Sequence, residues 1–311
     1  MTTTILVLVE SVNDYLPILE HCGYRLILAP NKALRAQAIA SHGGEIDVVL
    51  TRGPLGLFAD EMSQLPQLKI ICVLGAGYEQ VDLLAAQARG IIVTNGAGAN
   101  APTVADHAMA LLLSIVRDIP QADASVRRNE WRKLTRPSFA GKRIGILGLG
   151  AVGMAIARRA AGFDMQVNYH SRNQRADVDY TYCATPLALA EQSDFLLIAT
   201  PGGADTQHLV SHQALTALGP QGFIVNIARA SVIDTAALVE ALQEGRIAGA
   251  ALDVFDDEPQ VPDVLKALDT VVLTPHVGGL SPEASQATVQ LVADNLQAFF
   301  AGTPVLTPVT A

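Results

Sequence analysis

Gly148-Leu149-Gly150-Ala151-Val152-Gly153 decides the reading of this chain. An apolar run, Arg143 to Leu147, precedes it and reads as a buried strand. An Ala- and Arg-rich run, Met154 to Gly162, follows and reads as a helix. Between a strand and a helix, G-x-G-x-x-G has a physical meaning. The first glycine allows the tight turn, the second lets a pyrophosphate approach the backbone, and the third lets helix and strand pack closely. The helix N-terminus then presents free N–H groups and a positive dipole end to the phosphates. The turn therefore predicts dinucleotide binding, with Gly148, Gly150, Ala151, Val152 and Gly153 at the cofactor.

The next strand, Met165 to His170, ends in His170-Ser171-Arg172, with Arg175 nearby. A carboxylate about 20 residues past the glycines would accept hydrogen bonds from a ribose 2′-OH. Here a hydroxyl and a guanidinium stand instead, and arginine can bond a phosphate bidentately. Ser171 and Arg172 thus predict NADP(H) as the preferred cofactor, with NAD(H) as the alternative if Arg172 is only a solvated surface cation.

Strand-like and helical runs alternate along the rest of the chain. Thr4–Val9, Arg25–Ala29, Asp47–Thr51, Lys69–Val73 and Gly90–Thr94 read as five strands of a first lobe. A long helix is expected from about Pro102 to Arg128. It is read as a divider between lobes, an oligomer contact or an ordinary core helix. Six further strands are expected at Arg143–Leu147, Met165–His170, Phe195–Thr200, Phe223–Ala228, Ala248–Phe255 and Thr270–Thr274. Six is the complement of a full dinucleotide-binding sheet. Asp234 reads as an N-cap, and the last helix, about Pro282 to Phe300, has no strand after it in this reading. The predicted class is α/β: two doubly wound parallel-sheet domains, a Rossmann coenzyme domain (100–281) inserted in a flavodoxin-like substrate domain (1–99 and 282–311).

Composition narrows the function classes. The chain has 311 residues, enough for two domains, with 50% hydrophobic and 16% charged residues. That balance suits buried parallel sheets. No apolar run approaches the roughly 18 residues of a membrane span, and the N-terminus reads as a first strand rather than a leader. The net charge of −9 argues against a nucleic-acid partner. Cys22, Cys72 and Cys183 are scattered and lack C-x-x-C spacing. A reducing, cytoplasmic setting is expected, without a disulfide framework or metal site.

In open α/β sheets, ligands bind beyond the carboxyl ends of the strands. Those positions hold the glycine turn, Ser171 and Arg172, Thr200 and Pro201, Arg229, Asp253 and His276. The set suits hydride transfer to a 2-oxo acid. Arg229 can clamp the substrate carboxylate and polarise the adjacent carbonyl. His276 can protonate the developing alkoxide, and Glu258 beside it would favour the imidazolium and fix its orientation.

With these residues in place, the chain resembles the D-isomer-specific 2-hydroxyacid dehydrogenase family over nearly its whole length. The resemblance rests on Gly148–Gly153, Asn226 to Asp234 with Arg229, Asp253-Val254-Phe255-Asp256-Asp257-Glu258-Pro259 and Leu273-Thr274-Pro275-His276. It implies Arg229, Glu258 and His276 as the catalytic trio. It implies Asp253 and the backbone at Ile227 and Ala228 near the nicotinamide; Thr103 and Gly278 are assigned to the cofactor with them. It implies that Leu74-Gly75-Ala76-Gly77 is the substrate loop, with the N–H groups of Ala76 and Gly77 holding the carboxylate. It also implies a hinged cleft and a homodimer formed through the coenzyme domains. Tyr169-His170-Ser171-Arg172 is similar to the NADPH-preferring glyoxylate, hydroxypyruvate and hydroxyphenylpyruvate reductases. Two stretches depart from the usual pattern: Ala230 stands where glycine is common, and Asn100-Ala101-Pro102-Thr103 replaces a more acidic turn.

Some residues keep two readings. Arg52 meets a second polar group of the substrate or pairs on the surface. Leu74, Tyr78 and Trp131 line a pocket or pack in the core. Gly96-Ala97-Gly98 and Gly75-Ala76-Gly77 read as close backbone approaches facing substrate rather than cofactor. The expected partner is a small 2-oxo or 2-hydroxy acid. The rival functions are a nucleotide-sensing regulatory protein of the same fold and an NAD-dependent oxidative hydroxy acid dehydrogenase.

Overall fold

The computed structural model describes residues 2–310. The chain divides into two compact units, 1–101 with 280–311 (unit 1) and 102–279 (unit 2).

Unit 1 begins with β1 (Thr4–Val7), α1 (Pro17–His21), β2 (Arg25–Leu28), α2 (Lys32–His42), β3 (Val48–Arg52), α3 (Ala59–Ser63), β4 (Ile70–Leu74), α4 (Leu83–Ala88) and β5 (Ile92–Asn95). Asn31 and Asp82 accept from the Leu34 and Ala85 N–H groups at 3.0 and 2.9 Å, which starts α2 and α4 where the sequence supplies these caps. The five strands run parallel in the order β5-β4-β3-β1-β2. The switch in direction at β1 is the flavodoxin-like arrangement. Ile70, Ile71, Cys72 and Val73 are buried in succession, as a strand covered on both faces requires. Burial pushes the Cys72 thiol up to about 12, so it stays neutral and unreactive in the core.

Unit 2 opens with α5 (Ala101–Arg117, its first residue counted with unit 1) and α6 (Ile119–Arg127). The single long helix expected from Pro102 to Arg128 is thus two. Asp118 between them is left-handed, with φ of 56°. Pro120 explains the break, since its ring excludes a continuous helix through the preceding turn and it lacks an N–H. Asp118 then pairs with Arg136 at 2.5 Å.

There follow β6 (Arg143–Leu147), α7 (Ala151–Ala161), β7 (Gln166–His170), β8 (Thr181–Tyr182), α8 (Pro186–Glu191), β9 (Phe195–Ile198), α9 (His212–Leu218), β10 (Phe223–Asn226), α10 (Thr235–Gln243), β11 (Gly249–Leu252), α11 (Asp263–Lys266) and β12 (Val271–Leu273). The all-parallel sheet has the order β8-β7-β6-β9-β10-β11-β12. This is the Rossmann order, with its switch point between β6 and β9. The sequence reading missed β8, whose two residues are too short to carry a hydrophobic period. Asp234 caps α10 as expected, accepting from Ala237 N at 3.1 Å.

The chain returns to unit 1 with α12 (Pro282–Phe300) and β13 (Pro308–Val309). Val289, Val292, Ala293 and Leu296 of α12 join the core against β1, β3 and β4. The last helix was expected to have no strand after it. In fact β13 pairs antiparallel with β5, so this sheet is mixed at one edge. Pro308 in β13 lacks an N–H to donate, which is tolerated on an edge strand.

One ion pair ties the unit 2 sheet at its amino-terminal edge. Asp194 accepts from the Arg143 N–H at 2.7 Å and lies 3.3 Å from its guanidinium. Burial would raise the Asp194 carboxyl, but the Arg143 N–H and guanidinium outweigh it and hold it below the usual carboxylate range. A carboxyl depressed in the folded state contributes fully above its unfolded value, and the contribution is lost as pH falls through the folded value. Asp194→Asn is therefore expected to cost about 1 kcal/mol at about pH 7, because Arg143 is well solvated. The gap from wild type should close below about pH 4. Urea midpoints on both sides of that pH check it; an equal gap at both would refute the assignment.

Candidate active site

Because every strand of the unit 2 sheet is parallel, all their carboxyl ends lie on one edge. The structure brings to that edge the glycine turn after β6, Ser171 and Arg172 after β7, and Thr200 and Pro201 just beyond β9. Arg229 follows β10, Asp253 follows β11, and His276 lies past β12.

The glycine turn is sterically exacting. Gly148 has φ of +98°, and a Cβ there would stand 2.7 Å from Thr200 N. A Cβ on Gly153 would stand 2.0 Å from Gly148 O. At Gly150 the same test meets no heavy atom within 4 Å, so the backbone faces open space where α7 begins. The Arg175 guanidinium donates to Leu149 O at 2.8 Å and pairs with Asp177 at 2.5 Å. Arg175 is thereby a strap on the glycine turn. Ser171 Oγ donates to Asn173 O at 2.7 Å. Arg172 is exposed and has no ion-pair partner among the described residues.

Arg229 is half-buried, and Nη1 donates to Ala228 O at 2.6 Å. The turn beneath it is fixed by Asn226, which donates to Arg229 O at 2.9 Å and accepts from Ala228 N at 3.0 Å. The Arg229 stem leaves no room for a side chain at Gly202, where a Cβ would lie 2.8 Å from Arg229 Cγ. Ile227 and Ala228 are buried.

Glu258 Oε2 and His276 Nδ1 lie 2.8 Å apart. The other carboxylate oxygen accepts from Phe255 N at 3.1 Å, so the carboxylate is held from behind while it orients the ring. His276 is left-handed, with φ of 54°. Asp253 is 1% exposed, and its carboxylate accepts from Thr274 Oγ1 at 2.6 Å, Val277 N at 3.0 Å and Gly278 N at 2.8 Å. His107 of α5 completes this cluster, with Nε2 3.0 Å from Thr274 Oγ1. Sequence reasoning missed His107, because a lone histidine in the apolar run of α5 gives no signal of the loop it will face. Thr103 lies in the first turn of the same helix.

In unit 1, the two other glycine clusters meet each other. Gly96 N donates to Gly75 O at 2.7 Å, and Asn95 Nδ2 donates to Ala76 O at 2.8 Å. In a trans peptide the N–H points opposite to the carbonyl of the same plane. The N–H groups of Ala76 and Gly77 therefore face away from the Asn95–Gly96 turn. Asn95 was not singled out from the sequence, since nothing in one chain marks a strand-end asparagine as a support for a neighbouring loop. Leu74 and Tyr78 pack on the unit 1 core. Arg52 is exposed at the end of β3. Trp131 packs in no core: it is 78% exposed in the segment after α6.

Among the described residues no helix is long and apolar enough to cross a membrane. Among these same described residues, no group of three or more His, Cys, Asp or Glu is placed to hold a metal ion.

A Rossmann sheet with a glycine turn at its switch point defines a nucleotide-dependent α/β protein, and comparison with known proteins carries this further. Residues 109–278 match the family model described as D-isomer specific 2-hydroxyacid dehydrogenase, NAD binding domain. Hydroxyphenylpyruvate reductase of Plectranthus scutellarioides is 41% identical over 275 residues, covering 87% of this chain and 88% of that protein. Glyoxylate/hydroxypyruvate reductase A of Arabidopsis thaliana is 40% identical over 289 residues, covering 92% and 91%. Among solved structures, the NADPH-dependent glyoxylate/hydroxypyruvate reductase of Sinorhizobium meliloti, in complex with NADP and malonate, superposes with a TM-score of 0.89. It shares 37% identity, and the match covers 99% of this chain and 97% of that one. The chain belongs to the D-isomer specific 2-hydroxyacid dehydrogenase family. It is an oxidoreductase with a Rossmann domain for a nicotinamide cofactor.

Proposed function

We propose that the protein reduces a small 2-oxo acid, of the glyoxylate or hydroxypyruvate kind, to the D-2-hydroxy acid with NADPH. The observation that carries this reading is the Glu258–His276 pair at 2.8 Å, on the sheet edge that also bears Arg229 and the glycine turn.

The residues fit the cofactor. Open space at Gly150 and the free first-turn N–H groups of α7 suit a pyrophosphate. Ser171 and Arg172 suit a 2′-phosphate, with the Ser171 hydroxyl turning from Asn173 O to donate. Thr103, Thr200, Pro201, Ile227, Ala228, Asp253 and Gly278 are assigned to the remainder of the cofactor. When bound, the nicotinamide supplies the hydride.

The chain's own residues supply the rest. The Arg229 guanidinium clamps the substrate carboxylate and polarises the carbonyl. Protonated His276 gives its Nε2 proton to the carbonyl oxygen as C2 is reduced. Glu258 keeps Nδ1 engaged, so that Nε2 is the end presented. The outward N–H groups of Ala76 and Gly77, in the Leu74–Gly77 loop, are offered to the carboxylate, and Arg52 to a further polar group. A homodimer through unit 2 is supported by the exposed apolar side chains Ile119, Val126, Trp131 and Leu134.

Loss of NADPH absorbance with glyoxylate, hydroxypyruvate and phenylpyruvate, repeated with NADH, tests the reading. Turnover favouring NADPH is expected. Binding of NADPH without turnover of any 2-oxo acid would favour the nucleotide-sensing alternative. For the phosphate reading, Arg172→Ala is expected to raise the KM for NADPH about tenfold, the loss of about 1.4 kcal/mol. The KM for NADH should change less than twofold. Equal changes for both cofactors would remove Arg172 from the 2′-phosphate.

A further inference from the structure

His107 takes no part in the proposed reaction, yet it closes a hydrogen-bonded chain that ends on the loop bearing His276. Nε2 of His107 lies 3.0 Å from Thr274 Oγ1 and 3.3 Å from Asp253 Oδ1. Thr274 Oγ1 in turn lies 2.6 Å from Asp253 Oδ1. A hydroxyl has one proton, and the carboxylate can only accept, so Thr274 donates to Asp253. Thr274 Oγ1 is then an acceptor toward His107, and Nε2 of His107 must carry a hydrogen. The tautomer is fixed by this bookkeeping of donors. Asp253 is the titratable side chain that pairs with the His107 ring; Asp106, the neighbour of His107 on α5, is turned to Arg159 at 2.6 Å.

The loop that this chain holds is a strained one. His276 occupies the left-handed region, which a residue with a β-carbon adopts at a cost. Its N–H donates to Thr274 O at 3.0 Å, and the next two N–H groups, Val277 and Gly278, donate to the two Asp253 oxygens. The anchor points on both sides of His276 therefore converge on one buried carboxylate. The ring of His107 also walls the loop: a Cβ on Gly278 would lie 3.2 Å from His107 Cδ2 and 2.9 Å from Asp253 Oδ2.

We propose that His107 is a positioning residue for His276, acting through Thr274 and Asp253 to hold the Thr274–Gly278 loop in its left-handed turn. This rests on the reading of His276 as the proton donor. His107 touches neither substrate nor proton in flight; it sets where the His276 ring points.

The test uses three substitutions in the full-length protein. His107→Phe keeps a ring without a donor, Thr274→Val removes the relaying hydroxyl with the branched shape retained, and His107→Gln restores an N–H without an imidazole. His107→Phe and Thr274→Val are each expected to lower kcat about tenfold, since small misplacements of a catalytic group cost this much or more. The KM for the 2-oxo acid should stay within about twofold. The double variant should be no slower than the slower single variant, because both break one chain. His107→Gln should recover most of kcat.

Wild-type kcat in both single variants, or losses that multiply in the double variant, would overturn the proposal. So would a His107→Gln variant as slow as His107→Phe. His276→Ala in the same assay separates the two levels: its loss of turnover upholds the proton-donor reading even where His107→Phe is silent. A substrate-free readout is the imidazole NMR chemical shifts of His276 at one fixed pH. They should move in His107→Phe and return in His107→Gln, and unmoved signals count against the proposal whatever the reaction.

Discussion

Replacement of His276 by alanine is expected to lower kcat for 2-oxo acid reduction by about 10²–10⁴-fold, with NADPH binding retained. The range is the usual worth of a positioned general acid. The reason lies in the Glu258–His276 contact: with the ring gone, Glu258 is still held by Phe255 N but has no proton to direct. Alanine at this position also meets the left-handed backbone that His276 adopts, φ 54°. His276→Asn separates chemistry from strain, because asparagine accepts that conformation readily but cannot act as the acid. Both variants should be equally slow, while the asparagine variant melts closer to wild type. Steady-state rates, fluorescence titration with NADPH and thermal melts provide the check. Near-normal turnover in either variant would remove His276 from the reaction.

The second large effect is expected at Arg229. Arg229→Lys keeps the charge but loses the planar fork that can meet a carboxylate and a carbonyl together. A fall in kcat/KM of about 10²–10³-fold is expected, comparable to loss of a donor to a developing oxyanion. The fall should be similar for glyoxylate and hydroxypyruvate, which share the carboxylate and the adjacent carbonyl. The affinity for NADPH should change little, since the glycine turn is a separate part of the sheet edge. The structure adds a reason for the sensitivity. The Arg229 stem packs so closely on Gly202 that no Cβ fits there, and Asn226 fixes the turn from below. A lysine would inherit the slot but not the two-point geometry. A lysine variant as efficient as wild type would mean that charge alone is used.

The parts of the fold that were legible in the sequence are those where local chemistry and long-range order agree. The glycine turn is one, because each glycine answers a separate steric demand that only a strand–turn–helix imposes. The strand ends are another: once the sheet is parallel, Ser171, Arg229, Asp253 and His276 must share an edge, however far apart they lie in the chain. What escaped was of two kinds. Some elements were too short for periodicity, such as β8 and β13, whose pairing is decided by the neighbouring strand rather than by their own residues. Others depended on a local break inside an apolar run. Asp118 turns left-handed ahead of Pro120, and a pattern of buried positions passes over that point without a mark. His107, Thr274 and Asn95 were missed because their importance lies in what they support, and a supporting hydrogen bond leaves no spacing to read. Trp131 departed from its core reading, because solvent exposure of a lone tryptophan is set by segments far from it in sequence.

The return of the chain to unit 1 bears on the order of events during synthesis. Residues 102–279 are contiguous, so unit 2 can complete its core as soon as it leaves the ribosome, in keeping with the way domains fold as units. Unit 1 has no such freedom. Its sheet lacks the α12 side chains Val289, Val292, Ala293 and Leu296 on one face, and β5 lacks its edge partner, until residues 280–311 emerge. The first lobe to be translated is thus the last to be finished, and in the interval it offers an open parallel edge and an uncovered apolar face. A nascent chain stalled between Gly279 and α12 would carry an intact nucleotide-binding half together with an unfinished unit 1, and would be a natural client for a holding chaperone.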